Sequence, residues 1–329
     1  MMDIKIYNPA FDLEGVIDFV KEYDYTEEFN DYSEFHMRVP SSDKNRELFI
    51  TDNYIAFSDK LFLIDRVVAS ENEIYASGVS IFALFRDVLI EEPQVFKTNP
   101  YDTVAELAKL ISIPYATYEV YTMLWNSEIT YSQINCVNTS VYTQIRNICN
   151  IYGFGFQMTF SPVSKRIMFQ IMPKQKRYSD GGSFAYAISD MRNMYERCSV
   201  ESDMSSYKNY AHIPYGYIDD VYTYENVDHR VSPTNERKRA ISVSVPAMLS
   251  SRDLSASLRY LGEIALSHHR EIIRFTVELL KDVDASPGDV CDFECKRDGY
   301  FCHALVKRIT RGEKDGAAFV RVVLDKEHE

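Results

Sequence analysis

The chain is poor in the residues that mark several whole classes of protein. Its 329 residues hold six cysteines, 12 glycines, 11 prolines and one tryptophan, Trp125. Cysteines at 136, 149, 198, 291, 295 and 302 are too sparse for a disulfide scaffold, so free thiols and synthesis in a reducing cytoplasm are expected. Few glycines and prolines exclude low-complexity and fibrous classes. Nowhere do about 18 apolar residues run consecutively, so no membrane span is expected. Met1 to Ala10 lacks the basic start and apolar run of a signal peptide. Positive charge is short too: 36 Lys and Arg stand against 49 Asp and Glu, a formal net charge of −13. Tight binding to a phosphate backbone needs Lys and Arg to displace counterions, so specific nucleic-acid binding is not expected.

What is present belongs to a folded, β-rich chain. Hydrophobic residues make up 46%, with 24 Tyr and 19 Phe, the side chains that suit pleated, half-buried strands. The length exceeds the roughly 250 residues at which single cores stop growing, so several small domains are expected. Strand patterns fill the first third: Asp3 to Tyr7, Val16 to Phe29, Phe35 to Val39, Leu48 to Thr51, Tyr54 to Phe57, Lys60 to Ser70 and Glu73 to Ser77. Turn-forming breaks at Pro40 to Asp43, Asp52-Asn53 and Ser70 to Asn72 separate them, as in a small antiparallel barrel or sandwich. The nearly unbroken apolar run in Lys60 to Ser70 predicts a central strand covered on both faces.

After Pro100 the period changes from two to 3.6. Val104, Leu107, Ala108 and Ile111 fall on one helical face, with Asp102 or Thr103 as the cap. A second helix, Ser140 to Tyr152, aligns Val141, Ile145, Ile148 and Cys149 and stops at Gly153. Strands Gly155 to Phe160 and Arg166 to Met172 follow, joined by a turn at Ser161 to Ser164. Further strands are expected from Phe184 to Tyr217, and the polar stretch Asp219 to Arg239 reads as a surface loop. A helix over Leu254 to Ser267 and strands Glu271 to Leu280, Val290 to Cys295, Phe301 to Ile309 and Ala317 to Leu324 close the chain. The expected fold class is therefore β-rich α+β: two β-barrel-like tube domains with an α+β insert and helices between them. The expected division is 1–95 for the first barrel-like domain, 96–195 for the insert and 196–329 for the second β-rich domain.

Catalytic motifs fail on spacing. Gly78 to Ser80 and Gly181 to Ser183 lack the second glycine of a sharp nucleophile turn. Gly153-Phe154-Gly155 follows a helix and has no third glycine, so it is no dinucleotide cradle. No catalytic or cofactor-binding residue is assigned. Adjacent acids, Glu27-Glu28, Glu91-Glu92 and Asp219-Asp220, are most often solvated surface, and sequence alone does not bring two acids together across a cleft. Cys291, Cys295 and Cys302-His303 offer the ligand types zinc prefers, but not at zinc-knuckle spacing. On a strand they read as packed thiols, so no metal is expected. His268-His269 reads as polar punctuation between a helix and a strand. The six tyrosines from Tyr207 to Tyr224 are harder to set aside, because tyrosine gives contact area and a polar handle at low entropy cost.

The order of these segments resembles a siphophage family of tail hub-like proteins, related in architecture to the baseplate hub of contractile tails. The resemblance runs nearly the whole length: Tyr7 to Pro9 before a long strand, Tyr32 to Pro40, the Ser77-Gly78 to Leu89 step, and the Ser140 helix with Gly153 to Phe156. Ala187 to Met194, Tyr207 to His212, Leu261-Gly262 and Pro287 to Val290 follow in the family's order, the last being the most specific. There, Pro and Gly fix a turn and Asp289 is placed to bond back to its amides. Departures are the long Asp219 to Arg239 stretch and Tyr or Phe at positions where the family places Trp.

The resemblance implies a structural, non-enzymatic protein of a phage or prophage virion, made in the bacterial cytoplasm. Three copies would ring a DNA channel, meeting the tail tube or distal tail protein on one side and a tip or fibre protein on the other. An isolated subunit staying monomeric fits that reading. Only Lys326 to Glu329 follows the last expected strand, so no appended peptidase or glycosidase is expected. Two alternatives stay open: a tail-associated cell-wall hydrolase and a glycan-binding module.

Overall fold

The computed structural model describes residues 4–92, 94–122, 132–136, 139–173, 175–176, 187–218, 221–243, 254–267, 269–280 and 283–327. They form two units: Met1–Ser132, Cys136–Ser199 and Phe275–Glu329 in the first, Gln133–Asn135 and Val200–Arg274 in the second.

The first unit opens with β1 (Ile4–Tyr7), β2 (Leu13–Ile17), β3 (Glu22–Glu28) and β4 (Glu34–Pro40), then α1 (Asp43–Leu48), β5 (Tyr54–Phe57), β6 (Lys60–Ala69) and β7 (Glu73–Ser80). Period-2 patterning explains the pairing. In β4, Phe35, Met37 and Val39 are buried while Glu34, His36 and Arg38 are exposed, as expected of a half-buried strand. Their inward side chains join Ile4, Ile6, Tyr25, Phe57, Phe62 and Ile74 in one core. Aromatics pack its centre, Phe57 lying 5.0 Å from Tyr25 and 5.6 Å from Phe62 between ring centroids.

Three expectations in this region are corrected. Val16 to Phe29 is two strands, β2 and β3, interrupted at residues 18–21. Leu48 to Thr51 is not a strand: α1 ends there, started by Ser42, whose hydroxyl accepts from Asn45 N–H at 3.2 Å. The Ser-Asp pair taken for a turn is a helix cap, and the two signals share residue types. β6 does lie between β5 and β7, but only its first half is covered, Leu61, Phe62 and Ile64 being buried and Val68 exposed.

A 3-10 turn (Ile81–Arg86) leads to β8 (Leu89–Ile90), β9 (Gln94–Thr98), α2 (Pro100–Lys109), β10 (Thr117–Thr122), β11 (Ser132–Cys136), β12 (Thr139–Ser140), α3 (Val141–Tyr152), β13 (Phe154–Ser161) and β14 (Arg166–Pro173). Both helix stripes are buried as patterned: Val104, Leu107 and Ala108 in α2, Val141, Ile145, Ile148 and Cys149 in α3. The α2 cap is Asn99, one residue before Pro100, rather than Asp102 or Thr103; its side chain accepts from Asp102 N–H at 2.8 Å. α3 ends at Gly153 in the left-handed region. β13 and β14 form the expected hairpin, with β10 parallel to β14 on its open edge.

The remaining elements are β15 (Gln175–Lys176), β16 (Ala187–Ser189), β17 (Tyr195–Asp203), β18 (Tyr210–Ile218), β19 (Val221–Asp228), β20 (Ala240–Ser242), α4 (Leu254–Ser267), β21 (Ile272–Leu279), β22 (Asp289–Cys295), β23 (Tyr300–Lys314) and β24 (Ala317–Lys326). In the first unit β3 pairs antiparallel with β23, from Glu22 opposite Lys314 to Glu28 opposite Arg308. That contact joins the N-terminal and C-terminal strand runs in one open sheet, ordered β17-β21-β24-β23-β3-β4-β7-β6-β5-β1-β2. Among the described residues no helix is long and apolar enough to cross a membrane.

In the second unit α4 packs on the sheet β19-β18-β20, burying Ala211, Ile213, Val227, Leu258 and Leu266. Gly262 sets the approach, for a Cβ there would lie 2.6 Å from Val227 Cγ2 and 2.8 Å from Ile213 Cδ1. β19 corrects the expectation that Asp219 to Arg239 is all loop. Its inward face carries Glu225 beside Val227, and Ser255 of α4 donates to the Glu225 carboxylate at 2.6 Å, so the strand lacks the clean apolar alternation that would make it stand out. The loop proper follows at residues 229–239 and hangs on Asn209, 1% exposed, whose amide donates to Glu236 Oε1 and Arg237 O and accepts from Arg239 N–H.

Candidate functional site

Two places concentrate polar chemistry, one in each unit. In the first, the β3–β23 pairing is flanked by ion pairs. Neighbouring residues on a strand point to opposite faces, so Glu27 and Glu28 diverge. On the core side, Glu27 meets Lys60 at 3.0 Å and Arg311 at 3.1 Å. On the other side, Glu28 takes both Nε (2.9 Å) and an Nη (2.6 Å) of Arg308. The Glu27 and Glu28 side chains are only 16% and 15% exposed, which corrects their reading as solvated surface. Thr26 and Thr310 hydroxyls bond across the same ladder at 3.0 Å.

Just beyond, Lys307 Nζ donates to Phe29 O at 2.7 Å; burial pulls its ammonium below the ordinary lysine range, and Glu28 partly restores it. Asp31 binds Arg146 at 2.7 Å and accepts from the Tyr142 hydroxyl, whose ionisation burial and Asp31 together push up. A cleft lined by Glu27, Glu28, Asp31, Lys60, Phe82 and Phe156 opens here. Its three acids each hold a cation, the arrangement of a structural joint.

Phe29 is the pin of that joint. It packs with Val290 and Leu305, and Gly288 presses on it: a Cβ at Gly288 would lie 2.8 Å from the ring, and its φ of +96° lies in the region that favours glycine. The Pro287 to Val290 segment thus does what its sequence indicated, with Asp289 Oδ2 accepting from Ser286 N–H at 2.8 Å.

The other candidates scatter. Gly78 and Ser80 sit in extended β7, and Glu91 and Glu92 are exposed. Cys291 and Cys295 are buried on one face of β22, while His303 pairs with Asp292 at 2.9 Å across the β22–β23 ladder. His269 Nδ1 lies 3.0 Å from Ser206 O. Gly181 to Ser183, Asp219-Asp220 and His268 lie outside the described residues.

In the second unit the rings of the β18–β19 hairpin gather on one strand face. α4 covers the side of Ala211, Ile213 and Val227. The opposite side carries Tyr210, His212, Tyr222 and Tyr224, with His212 5.4 Å from Tyr224 and Tyr222 5.9 Å from Tyr224 between ring centroids. Tyr222 and Tyr224 are exposed. Cations cap the near end: Lys238 Nζ stands 3.4 Å from the Tyr210 ring centroid and Arg239 5.5 Å from that of Tyr207, cation–π distances. His212 Nδ1 lies 2.9 Å from Asn226 Oδ1.

No family model matches the chain, and no curated protein does. Solved structures match end to end. A tail protein from Neisseria meningitidis MC58 superposes with a TM-score of 0.67 at 13% identity, covering 99% of this chain and 97% of that one. The fold is that of a phage tail protein. The prophage tail protein gp18 from Listeria monocytogenes EGD-e gives a TM-score of 0.63 at 11% identity, covering 99% and 94%. The 43 kDa tail protein of prophage MuSo2 from Shewanella oneidensis gives 0.62 at 9% identity, covering 98% of both chains. The fold shared with these tail proteins agrees with the tail family that the order of sequence motifs resembles.

Proposed function

We propose that this chain is a structural hub of a phage or prophage tail tip or baseplate. Three copies ring a DNA channel and join the tail tube or distal tail protein to a tip or fibre protein. Residues 1–95 and 196–329 act as its tube domains and 96–195 as the insert. The observation that carries the reading is the end-to-end match to tail proteins, since a shared single domain would cover only part of each chain. The chemistry at the β3–β23 joint agrees with it: Glu27, Glu28 and Asp31 each hold a cation in an ion pair, which supports a structural role.

Charge supplies a second support. The second unit's residues contain ten acids and nine bases, so −12 of the −13 falls on the first unit. An acidic channel wall repels the duplex and leaves a hydrated gap, whereas a basic wall traps phosphates by counterion release. Ring contacts completed only against the tail tube are weak at ordinary concentration, which fits a monomer in isolation.

Removing this chain from the producing phage tests the reading. The expected result is particles that fail to assemble a tip; tails completed normally without it would contradict the proposal. A glycan-binding reading has one observation of its own, the exposed ring face of Tyr222, Tyr224 and His212. Binding on a glycan array is its expected outcome, and silence across the array dismisses it.

A further inference from the structure

The ring face of the β18–β19 hairpin changes character along its length. At one end Tyr222 and Tyr224, both exposed, stand side by side on alternate positions of β19. At the other end Tyr210 carries two cations, Lys238 Nζ at 3.4 Å and Arg230 Cζ at 6.0 Å from its ring centroid. Between them His212 packs on Tyr224, and its Nδ1 is engaged by Asn226 Oδ1, which leaves Nε2 as the ring's other hydrogen-bonding atom. From Tyr222 to Asp228, the residue opposite Tyr210, the strip runs roughly 20 Å at about 3.3 Å per residue. Residues 228–239 hold four Arg and Lys against two acids, on a chain of net charge −13. Both acids are engaged: Asp228 holds Arg230 at 2.7 Å, and Glu236 accepts from the Asn209 amide and from Val231 N–H, each at 3.0 Å. Arg237 and Lys238 are exposed. A local excess of positive charge therefore sits beside uncharged rings.

We propose that this strip binds an anionic saccharide, whose sugar rings lie on Tyr222 and Tyr224 and whose carboxylate or phosphate groups meet Lys238 and Arg237. Tyrosine offers an apolar ring face with a wet, hydrogen-bonding tip, which matches a sugar's apolar face and its hydroxyls. His212 and Asn226 add polar atoms midway along the strip. Charge complementarity then orients the ligand, its anion toward the Tyr210 end. The layout favours this class over two others. A nucleic-acid strand is charged at every unit and needs cations along its whole track, whereas here they gather at one end. A protein partner needs about 800 Å² on each side, which a strip one hairpin wide does not offer. The inference rests on the glycan-binding reading of this face and narrows it to one charge class.

Calorimetric titration of the full chain tests this with four soluble probes: a neutral glucan oligosaccharide, a uronic-acid oligosaccharide of the same length, a sugar-phosphate oligosaccharide and a single-stranded oligothymidylate. The expected result is an anionic saccharide bound on the order of tenfold more tightly than the neutral one, with the advantage shrinking as salt rises. The uronate and phosphate arms tell which anion the site takes. Tyr224→Ala and Lys238→Ala are each expected to weaken binding on the order of tenfold. Tyr224→Phe, which keeps the ring, and Lys44→Ala, which removes an exposed lysine of the first unit, leave it unchanged. Tyr224 and Lys238 are exposed, so truncating them leaves the fold intact, and an unchanged thermal midpoint checks this. Equal binding of neutral and anionic saccharides would overturn the anionic assignment and leave the glycan reading standing, whereas silence from every saccharide would overturn both. Oligothymidylate bound more tightly than any saccharide, or a loss in Lys44→Ala equal to that in Lys238→Ala, would also overturn the proposal.

Discussion

The two units reach stability and surface character by different means. The first carries nearly all the negative charge, a core rich in Phe and Tyr, and a joint in which strands about 280 residues apart are fastened by Glu27, Glu28 and their cations. The second is nearly neutral, rests among the described residues on a small buried cluster that Leu258 and Leu266 of α4 form with Ala211, Ile213 and Val227, and exposes Tyr222 and Tyr224. A large, ion-fastened sheet suits a part that holds shape under load, and a small unit with an open aromatic face suits a part that meets something else.

Breaking each core separates the two most sharply. Phe57→Ala is expected to cost the first unit about 3–5 kcal/mol, because it empties the centre of an aromatic cluster. Hydrogen exchange should then show β4 to β7 losing protection. Leu258→Ala is expected to cost about 2–4 kcal/mol and to act locally, freeing amides of β18 and β19 while those of β4 to β7 keep theirs. If both variants loosen every strand alike, the units are a single cooperative body and the comparison fails.

Smaller changes sharpen the account of the joint. Gly288→Ala forces a Cβ against Phe29 at a positive φ and is expected to cost about 1–3 kcal/mol in chemical denaturation. Glu27→Gln leaves Lys60 and Arg311, both largely covered, without their carboxylate and is expected to cost about 1–2 kcal/mol. Glu28→Gln should cost less, about 1 kcal/mol or below, because Arg308 is half exposed and keeps its hydration.

The smallest effect is a gain. Asp24 lies in a groove beside Glu22, His36 and Arg321, and burial raises its pKa above the ordinary value. An acid whose pKa is raised by folding destabilises the fold at pH values above that raised pKa, and the penalty fades as pH falls through it toward the unfolded value. Asp24→Asn is therefore expected to stabilise the chain at neutral pH by no more than about 0.5 kcal/mol, the partly solvated site screening the rest. The gain should shrink in acid.

Local signals were legible and distant ones were not. The helix α4 stands where its stripe of Leu258, Leu261 and Leu266 put it, and Tyr54 to Phe57 is β5 to the residue. The Pro287 to Val290 turn was readable because Pro, Gly and Asp each act on neighbouring backbone. Glu27 and Glu28 were read as solvated because their partners Arg311 and Arg308 come from the far end of the chain, and no local pattern announces a strand pairing of that separation. Asn209, which organises the 229–239 loop, has no local signal of its burial, since that depends on a loop that folds back over it. In the Tyr207 to Tyr224 run the number of tyrosines was readable, but not that Tyr210, Tyr222 and Tyr224 share the face opposite α4.

The central claim, a hub built around an acidic channel, is tested most directly by reconstructing the intact tail tip and fitting this chain into its density. The account predicts three copies around an open axis, with Asp and Glu of the first unit lining it. A lining dominated by Lys and Arg would contradict the acidic channel, and a closed packing with no central opening would contradict the hub itself.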